Sequence, residues 1–262
     1  MPYRTDVEVG GNKTVIDDAQ LKKLMSSSRS TVLQRNKFRI VTLTLIAINV
    51  IVFVIEVLLS GLRVNIPTGI LVNMGAMYAP LIQSVGDLYR FVTPMFLHLD
   101  LMHLGFNMVA LFSVGEVLER VLGKGNYLLL YFIGGITGNA VSYAADVFMP
   151  GAPVVSAGAS TSVFALFVAV ALLGLLHKSN RSYFAQYSKS MLAIIGVNVA
   201  YTFLIPSISI NGHLGGALGG LIAMFMIPAK NLRVKTPVRI VVTVLWVASL
   251  VYLLVSQGII VG

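Results

Sequence analysis

A serine and a histidine each stand at the start of an apolar segment of this sequence. Ser160 lies in the stretch GASTSVFAL, residues 158–166, where small polar residues pass directly into an apolar run. A hydroxyl at a helix N-terminus lies among unpaired backbone N–H groups and the positive end of the helix dipole, which both favour a developing negative charge. An imidazole is the usual base that makes a serine nucleophilic, and His213 can supply it. These residue types indicate nucleophilic attack on a carbonyl, with an ordinary serine N-cap as the structural alternative.

Three more polar residues lie at the start of another apolar segment: His98, His103 and Asn107. Asn107 follows His103 by four residues, so on a helix it shares that residue's face one turn deeper. Polar groups at membrane depth are costly unless they face the bundle interior or a water-filled cavity, so we expect all three to converge with Ser160 and His213. The side chains of Asn107 and His103 and the backbone N–H of Ser160 are donors of the type that stabilises an oxyanion.

Glycines offer a way for the serine and histidine segments to meet. The segment that begins at His213 reads HLGGALGGLIAM, with Gly216 and Gly220 four residues apart. Small residues at this spacing let membrane helices approach closely, although generic helix packing explains the glycines equally well. Such packing would place His213 beside Ser160. No suitably placed acidic residue completes a triad, so we expect a Ser-His dyad.

The composition is that of an integral membrane protein. Of the 262 residues, 56% are hydrophobic and only 11% are charged. A bilayer core of about 30 Å needs about 20 apolar residues per helical span. We therefore predict an all-α membrane protein, a polytopic helical bundle, with seven spans near residues 40–59, 101–118, 127–148, 160–176, 191–205, 213–227 and 238–255. The absence of cysteine excludes disulfides, thiolate metal sites and cysteine nucleophiles.

The basic residues predict the orientation of the spans. The formal net charge is +9, yet all lysines and arginines except Arg63 and Arg90 fall in the N-terminal region or in loops on one side of the predicted spans. Basic residues of membrane proteins concentrate on the cytoplasmic side, so we predict a cytoplasmic N-terminus, no nucleic-acid partner, and Ser160 and His213 near the outer face. The N-terminal region lacks an early apolar stretch, so a cleaved signal peptide is not expected.

We divide the chain into three parts. Residues 1–38 are expected to form a mostly flexible cytosolic tail with a short helix near 17–25, and residues 39–229 a six-span catalytic core. Residues 230–262 are expected to form a cytosolic loop and a seventh transmembrane helix. The loop at 60–97 is too apolar for a solvated linker, and we expect it to lie in the membrane interface, in a functional or a packing role.

The stretches RFVTPMFLHLDLMHLGFNM, SAGAS and GHLGGALGG together resemble the rhomboid intramembrane serine proteases. They match the family's His-x(4)-His-x(3)-Asn, Gly-x-Ser and His-x-x-Gly-x-x-x-Gly patterns in the family's order. The resemblance implies a rhomboid-like six-helix core with the seventh helix added. It implies these roles: nucleophile for Ser160, general base for His213, oxyanion donors for Asn107, His103 and the Ser160 amide, and shaping of the site for His98.

Other positions follow or depart from the family's pattern. Glu119 falls where the family often has a Glu-x-x-x-Gly turn, here closed by Gly123. Thr161 stands where many members have glycine, and Tyr89 replaces a frequent tryptophan. Phe164, one turn past Ser160, could stack on His213, a role that tyrosine often fills in the family.

The leading hypothesis is an intramembrane serine endopeptidase that cleaves transmembrane segments of single-span substrates near the outer face of a bacterial plasma membrane. It implies substrate proteins and the lipid bilayer as partners, with no cofactor and no metal. A catalytically inactive rhomboid-like protein that binds membrane clients is the alternative. A transport pathway would need polar groups in both membrane halves. A zinc site on His98, His103 and His213 would lack a His-Glu-x-x-His helix and a carboxylate.

Overall fold

A computed structural model describes residues 5–9, 12–16, 39–179, 181–190, 196–197, 199–200 and 209–260. Its α-helices are Ile40–Leu59 (α1), Thr68–Asn73 (α2), Leu101–Leu122 (α3), Lys124–Phe148 (α4), Ser160–Leu176 (α5), Arg181–Ser190 (α6), Ile210–Met226 (α7) and Thr236–Ser256 (α8). Three short 3-10 helices, Ala79–Leu81, Val85–Phe91 and Thr93–Phe96, lie between α2 and α3. The predicted helix at 17–25 and most of the predicted fifth span lie outside the described residues.

The predicted all-α membrane bundle is confirmed. Helices α1, α3, α4 and α8 are long and apolar enough to cross a membrane, and α5 and α7 are shorter apolar helices. Helix α3 extends four residues beyond its predicted end, so Arg120 lies in its last turn and not in a loop. Arg120 pairs there with Glu116, and Gly123, with φ of +82°, ends the helix.

The N-terminal region contains a β-hairpin that the sequence analysis did not predict. Strand β1, Thr5–Val9, pairs antiparallel with strand β2, Asn12–Ile16. Both strands contain several β-branched residues, which favour extended backbone. Residues 5–9 and 12–16 therefore have regular structure within the region that was expected to form a mostly flexible tail.

Helices α4, α5 and α7 pack through small residues. A methyl group built on Gly216 would overlap the carbonyl oxygen of Thr161, and one on Gly220 would overlap that of Ala165. The predicted close approach of the serine and histidine helices is therefore confirmed. Helix α4 joins the same contact, because a Cβ on its Gly138 would lie 2.7 Å from the Thr161 Cβ atom. Glycine removes the side chains that would keep these three backbones apart.

A buried carboxylate on α3 caps the N-terminus of α1. The Oε1 atom of Glu119 accepts the N–H of Val41 at 3.0 Å, and its Oε2 atom accepts the N–H and the hydroxyl of Thr42, each at 3.0 Å. Glu119 is only 2% exposed. The first N–H groups of a helix have no partner within the helix, and a negative charge there also interacts favourably with the helix dipole. Glu119 thus attaches α1 to the bundle.

Replacing Glu119 by glutamine is expected to lower the free energy of unfolding by about 2–4 kcal/mol, because an amide NH2 group would face donors that now bind a carboxylate oxygen. Unfolding in mixed micelles measures the effect. Glu116→Gln is the matched control, since it removes a partly exposed pair on the same helix that contributes less than about 1 kcal/mol. Equal losses in the two variants would contradict this assignment.

The last helix, α8, is held to the bundle by a side-chain hydrogen bond. The indole N–H of Trp246 donates to the hydroxyl of Thr137 on α4 at 2.9 Å. Farther along the helix, Leu250, Leu253 and Leu254 pack against an apolar cluster that includes Phe91 of the loop before α3. Helix α8, the predicted seventh transmembrane helix, therefore contacts both α4 and the loop that leads to the candidate site.

Candidate active site

Ser160 and His213 meet where α5 and α7 begin. Ser160 is the first residue of α5, and His213 lies in the first turn of α7. The Nε2 atom of His213 is 2.6 Å from the Oγ atom of Ser160, within hydrogen-bond distance. Ser209 fixes the start of α7 because its hydroxyl accepts the N–H of Gly212 at 3.0 Å. This geometry gives the serine hydroxyl a base in direct contact.

The imidazole of His213 is held by an aromatic stack. The Phe164 ring lies 4.3 Å from the His213 ring, centroid to centroid, at an interplanar angle of 15°. The predicted stacking is confirmed. Because Phe164 is one turn beyond Ser160 on α5, one helix carries both the hydroxyl and the ring that orients the imidazole. The bond and the stack together restrict rotation of the imidazole.

His103 forms the wall opposite Ser160. A Cβ built on Gly158 would lie 2.7 Å from Cε1 of His103, 2.9 Å from its Nε2 and 3.2 Å from Oγ of Ser160. The φ of Gly158 is +144°, a conformation that other residues rarely adopt. Glycine at this position is therefore needed both for the turn before α5 and for the space between the His103 ring and the serine hydroxyl.

Helix α3 also carries Asn107, the second side chain that was predicted to donate to an oxyanion. Asp100 caps α3 by accepting the N–H of His103 at 2.8 Å. Asn107 is buried, and its Nδ2 atom donates to the carbonyl oxygen of His103 at 3.0 Å. A side-chain amide nitrogen carries two hydrogens, so this bond leaves a second one to donate. The Asp100 carboxylate is thus used as a helix cap.

His98 lies behind His103 and is fully buried. The two rings pack edge to face with centroids 5.3 Å apart. Among the described residues, neither ring nitrogen of His98 has a hydrogen-bond partner. Its backbone N–H lies 3.1 Å from Oε1 and 3.3 Å from Oε2 of Glu56, a buried residue of α1 that the sequence analysis missed.

A small polar cavity adjoins the dyad. Its volume is about 10 Å³, which is room for about one water molecule. Its lining includes Thr161 and three polar side chains that the sequence analysis did not select: Asn139, Ser156 and Ser209. The Nδ2 atom of Asn139 donates to the carbonyl oxygen of Phe91 at 2.9 Å, so this wall is tied to the loop before α3. A sequence signal existed for Asn139, since it is a polar residue within an apolar span.

Arg90 fixes the loop between α1 and α3. Its guanidinium donates to the carbonyl oxygens of Val72 at 2.9 Å and Ala76 at 3.0 Å, and it lies over the Tyr89 ring at 5.2 Å. Hydrogen bonds from the Ser84 hydroxyl and from backbone N–H groups lower the pKa of Asp87 in the same loop. These contacts give the loop a defined structure, and its expected position in the membrane interface stays a prediction.

In the described part of the chain, no three histidine, aspartate or glutamate side chains converge as a metal site would require. The carboxylates nearest to His98 and His103, those of Glu56 and Asp100, accept backbone N–H groups of these two histidines. The described residues place the Ser160 hydroxyl beside the His213 imidazole.

Comparison with known proteins identifies the family. The model of the Rhomboid domain matches residues 85–230. The chain is 37% identical over 183 residues to rhomboid protease GluP of Bacillus subtilis, covering 70% of this chain and 34% of the relative. It is 31% identical over 198 residues to Rhomboid-like protease 1 of Toxoplasma gondii, covering 74% and 66%. It is 32% identical over 139 residues to Rhomboid-type serine protease 2 of Emericella nidulans, covering 51% and 25%.

The matched region therefore spans about a third of GluP and about two thirds of the Toxoplasma protein. The region of this chain that matches the Rhomboid domain contains helices α3, α4, α5 and α7, which carry the histidines, the asparagine and the serine described above. Since the Rhomboid domain accounts for more than half of its length, this multi-pass membrane chain belongs to the rhomboid family of intramembrane proteases.

Proposed function

We propose that this chain is an intramembrane serine endopeptidase in which Ser160 is the nucleophile and His213 the general base. The single observation that carries this proposal is the 2.6 Å contact between His213 Nε2 and Ser160 Oγ. A serine hydroxyl is a weak nucleophile, and a base at this distance can remove its proton during the attack. The relatives are named as proteases, which supports the same activity for this chain.

In the first half of the proposed reaction, Ser160 Oγ attacks the carbonyl carbon of the scissile peptide bond, and its proton passes to His213 Nε2. The carbonyl oxygen becomes an oxyanion. The backbone N–H of Ser160 and the side chains of His103 and Asn107 are the proposed donors to it. Imidazolium His213 then gives its proton to the departing amine, which leaves an ester on Ser160.

In the second half, a water molecule attacks the ester carbonyl while His213 takes one of its protons. Collapse of the second oxyanion releases the carboxylic acid product, and the proton returns to Ser160. The cavity beside the dyad has room for about one water molecule and polar walls, which supports a supply of water to this step. Each turnover consumes one water and breaks one peptide bond.

The proposed substrates are single-span membrane proteins cut near the outer face of a plasma membrane, with the N-terminus of this chain in the cytoplasm. The uneven distribution of lysine and arginine along the sequence supports this orientation. A peptide bond in a helix is not free to enter the site, so the substrate helix must unwind locally. Transmembrane segments with glycine, serine or proline should be preferred.

A fluorophosphonate probe tests the proposal on the full chain in detergent micelles. The probe is expected to label the parent at Ser160, as mapped by mass spectrometry of its peptides. The Ser160→Ala variant is expected to stay unlabelled and to leave a panel of tagged single-span substrates intact. Absence of both labelling and cleavage in the folded parent would favour the client-binding alternative. Labelling that persists in Ser160→Ala would assign the nucleophile elsewhere.

A further inference from the structure

Glu56 is a buried carboxyl group that the proposed chemistry does not use. It lies on α1, the helix that contributes no residue to the dyad or the oxyanion donors, and it is 0% exposed. Burying a carboxyl group in an apolar environment is unfavourable unless hydrogen bonds compensate for the lost hydration. A glutamate retained at this position needs an explanation from what it contacts.

The partner of Glu56 is the backbone N–H of His98, which lies 3.1 Å from Oε1 and 3.3 Å from Oε2. His98 lies in the short connection between the 3-10 helix Thr93–Phe96 and helix α3, so no regular secondary structure supplies an acceptor for its N–H. A buried backbone N–H without an acceptor is destabilising. Glu56 thus fixes one main-chain position of the segment that leads into α3.

A short series of contacts joins the backbone of His98 to Ser160. The fully buried His98 ring packs edge to face on His103 with centroids 5.3 Å apart. Oγ of Ser160 and the ring of His103 both lie within about 3.2 Å of the position that a Cβ on Gly158 would occupy. Because the interior is closely packed, displacement of His98 would displace the ring of His103.

We infer that Glu56 is a positioning residue, which holds the backbone of His98 so that His98 keeps His103 in place beside Ser160. This inference rests on the proposed function, because it assigns Glu56 an effect on the same catalytic reaction. Helix α1 then supports the site from a distance and does more than enlarge the membrane-spanning bundle. To bind the His98 N–H, the side chain at position 56 needs an oxygen acceptor at its end.

Two substitutions at Glu56 separate positioning from simple stability. Glu56→Leu removes the acceptor, and we expect kcat on a single-span substrate and the rate of fluorophosphonate labelling to fall by about 10- to 100-fold, with KM changed by less than about threefold. Glu56→Gln keeps an acceptor oxygen, and we expect it to restore both rates to within about threefold of the parent.

Phe53→Ala is the matched control. Phe53 precedes Glu56 by three residues on the same face of α1 and packs in an apolar cluster with Leu97 and Leu104, but it makes no hydrogen bond to His98. It should lower the unfolding temperature without a comparable loss of labelling rate. If Phe53→Ala, at equal or greater destabilisation, loses as much labelling rate as Glu56→Leu, the effect is stability alone and the inference is wrong.

Amide hydrogen exchange provides a readout that does not depend on activity. The peptide containing the His98 amide should exchange faster in Glu56→Leu than in Glu56→Gln or Phe53→Ala. Unchanged exchange, or unchanged labelling in Glu56→Leu while the parent is labelled, would overturn the inference and leave the proposed function intact. A folded parent that is neither labelled nor active would overturn the proposed function and the inference with it.

Discussion

Replacing His213 by glutamine is expected to lower kcat by at least about 10⁴-fold, with little change in KM. Glutamine can still form a hydrogen bond to Ser160, but its amide cannot take up and return a proton in the way that an imidazole does. The Phe164 ring would remain, so the fall in kcat would result from the missing base and not from lost packing. Steady-state cleavage of a tagged single-span substrate measures it, with fluorophosphonate labelling of Ser160 as a second readout.

His177→Gln is the matched control for His213→Gln. His177 ends α5 at the opposite end from Ser160, where its Nδ1 atom accepts the N–H of Ser179 at 3.2 Å. Its loss should leave kcat within about threefold of the parent, because its contacts, the Ser179 N–H and the Phe184 ring, lie at the end of α5 away from Ser160. A His213→Gln protein that retains more than about a tenth of the parental kcat would require another base.

Adding one methyl group at Gly216 is expected to lower kcat by about 100-fold and the free energy of unfolding by about 1–3 kcal/mol. The methyl group of alanine would overlap the Thr161 carbonyl oxygen, so α7 must move away from α5. Thr161 follows Ser160, and Gly216 lies one turn beyond His213. The displacement therefore separates the two residues whose side chains are now 2.6 Å apart.

Gly105→Ala tests whether any glycine-to-alanine change near the site has this effect. Gly105 lies on α3 between His103 and Asn107, yet it is exposed, and nothing lies within 4 Å of the position that its Cβ would take. Alanine there should preserve activity and slightly stabilise the helix. Cleavage assays and thermal unfolding in micelles compare the variants. Equal activity of Gly216→Ala and the parent would contradict the close packing of α5 and α7.

The sequence predicted the helices and the meeting of Ser160 with His213 because both depend on local patterns. Apolar runs of membrane length mark spans, and glycines four residues apart mark a face that permits close approach. The family's motifs then selected Asn107, His103 and His98. The structure brings these residues to one end of the bundle, and their roles in catalysis stay predictions.

The contacts that support the site could not be predicted in the same way. Glu56 and Glu119 each accept from backbone N–H groups far away in the chain, at His98 and at the start of α1. Neither acceptor has a sequence pattern that identifies its donor, because any backbone N–H can serve. The part of α4 in the close packing was not predicted, because glycines on one helix permit close approach without identifying the helix that they contact. The β-hairpin was not predicted because charge throughout the N-terminal region is typical of a flexible tail.

The lengths of the two helices that carry the dyad have a consequence for the surrounding lipid. Helices α5 and α7 have 17 residues each, which at 1.5 Å per residue is about 25 Å. A hydrocarbon layer of roughly 30 Å exceeds this by about 5 Å. The bilayer must therefore thin beside these helices, or leave their ends recessed below the headgroups. Hydrophobic mismatch of this kind would make lipid chain length a determinant of how readily water and substrate reach the serine.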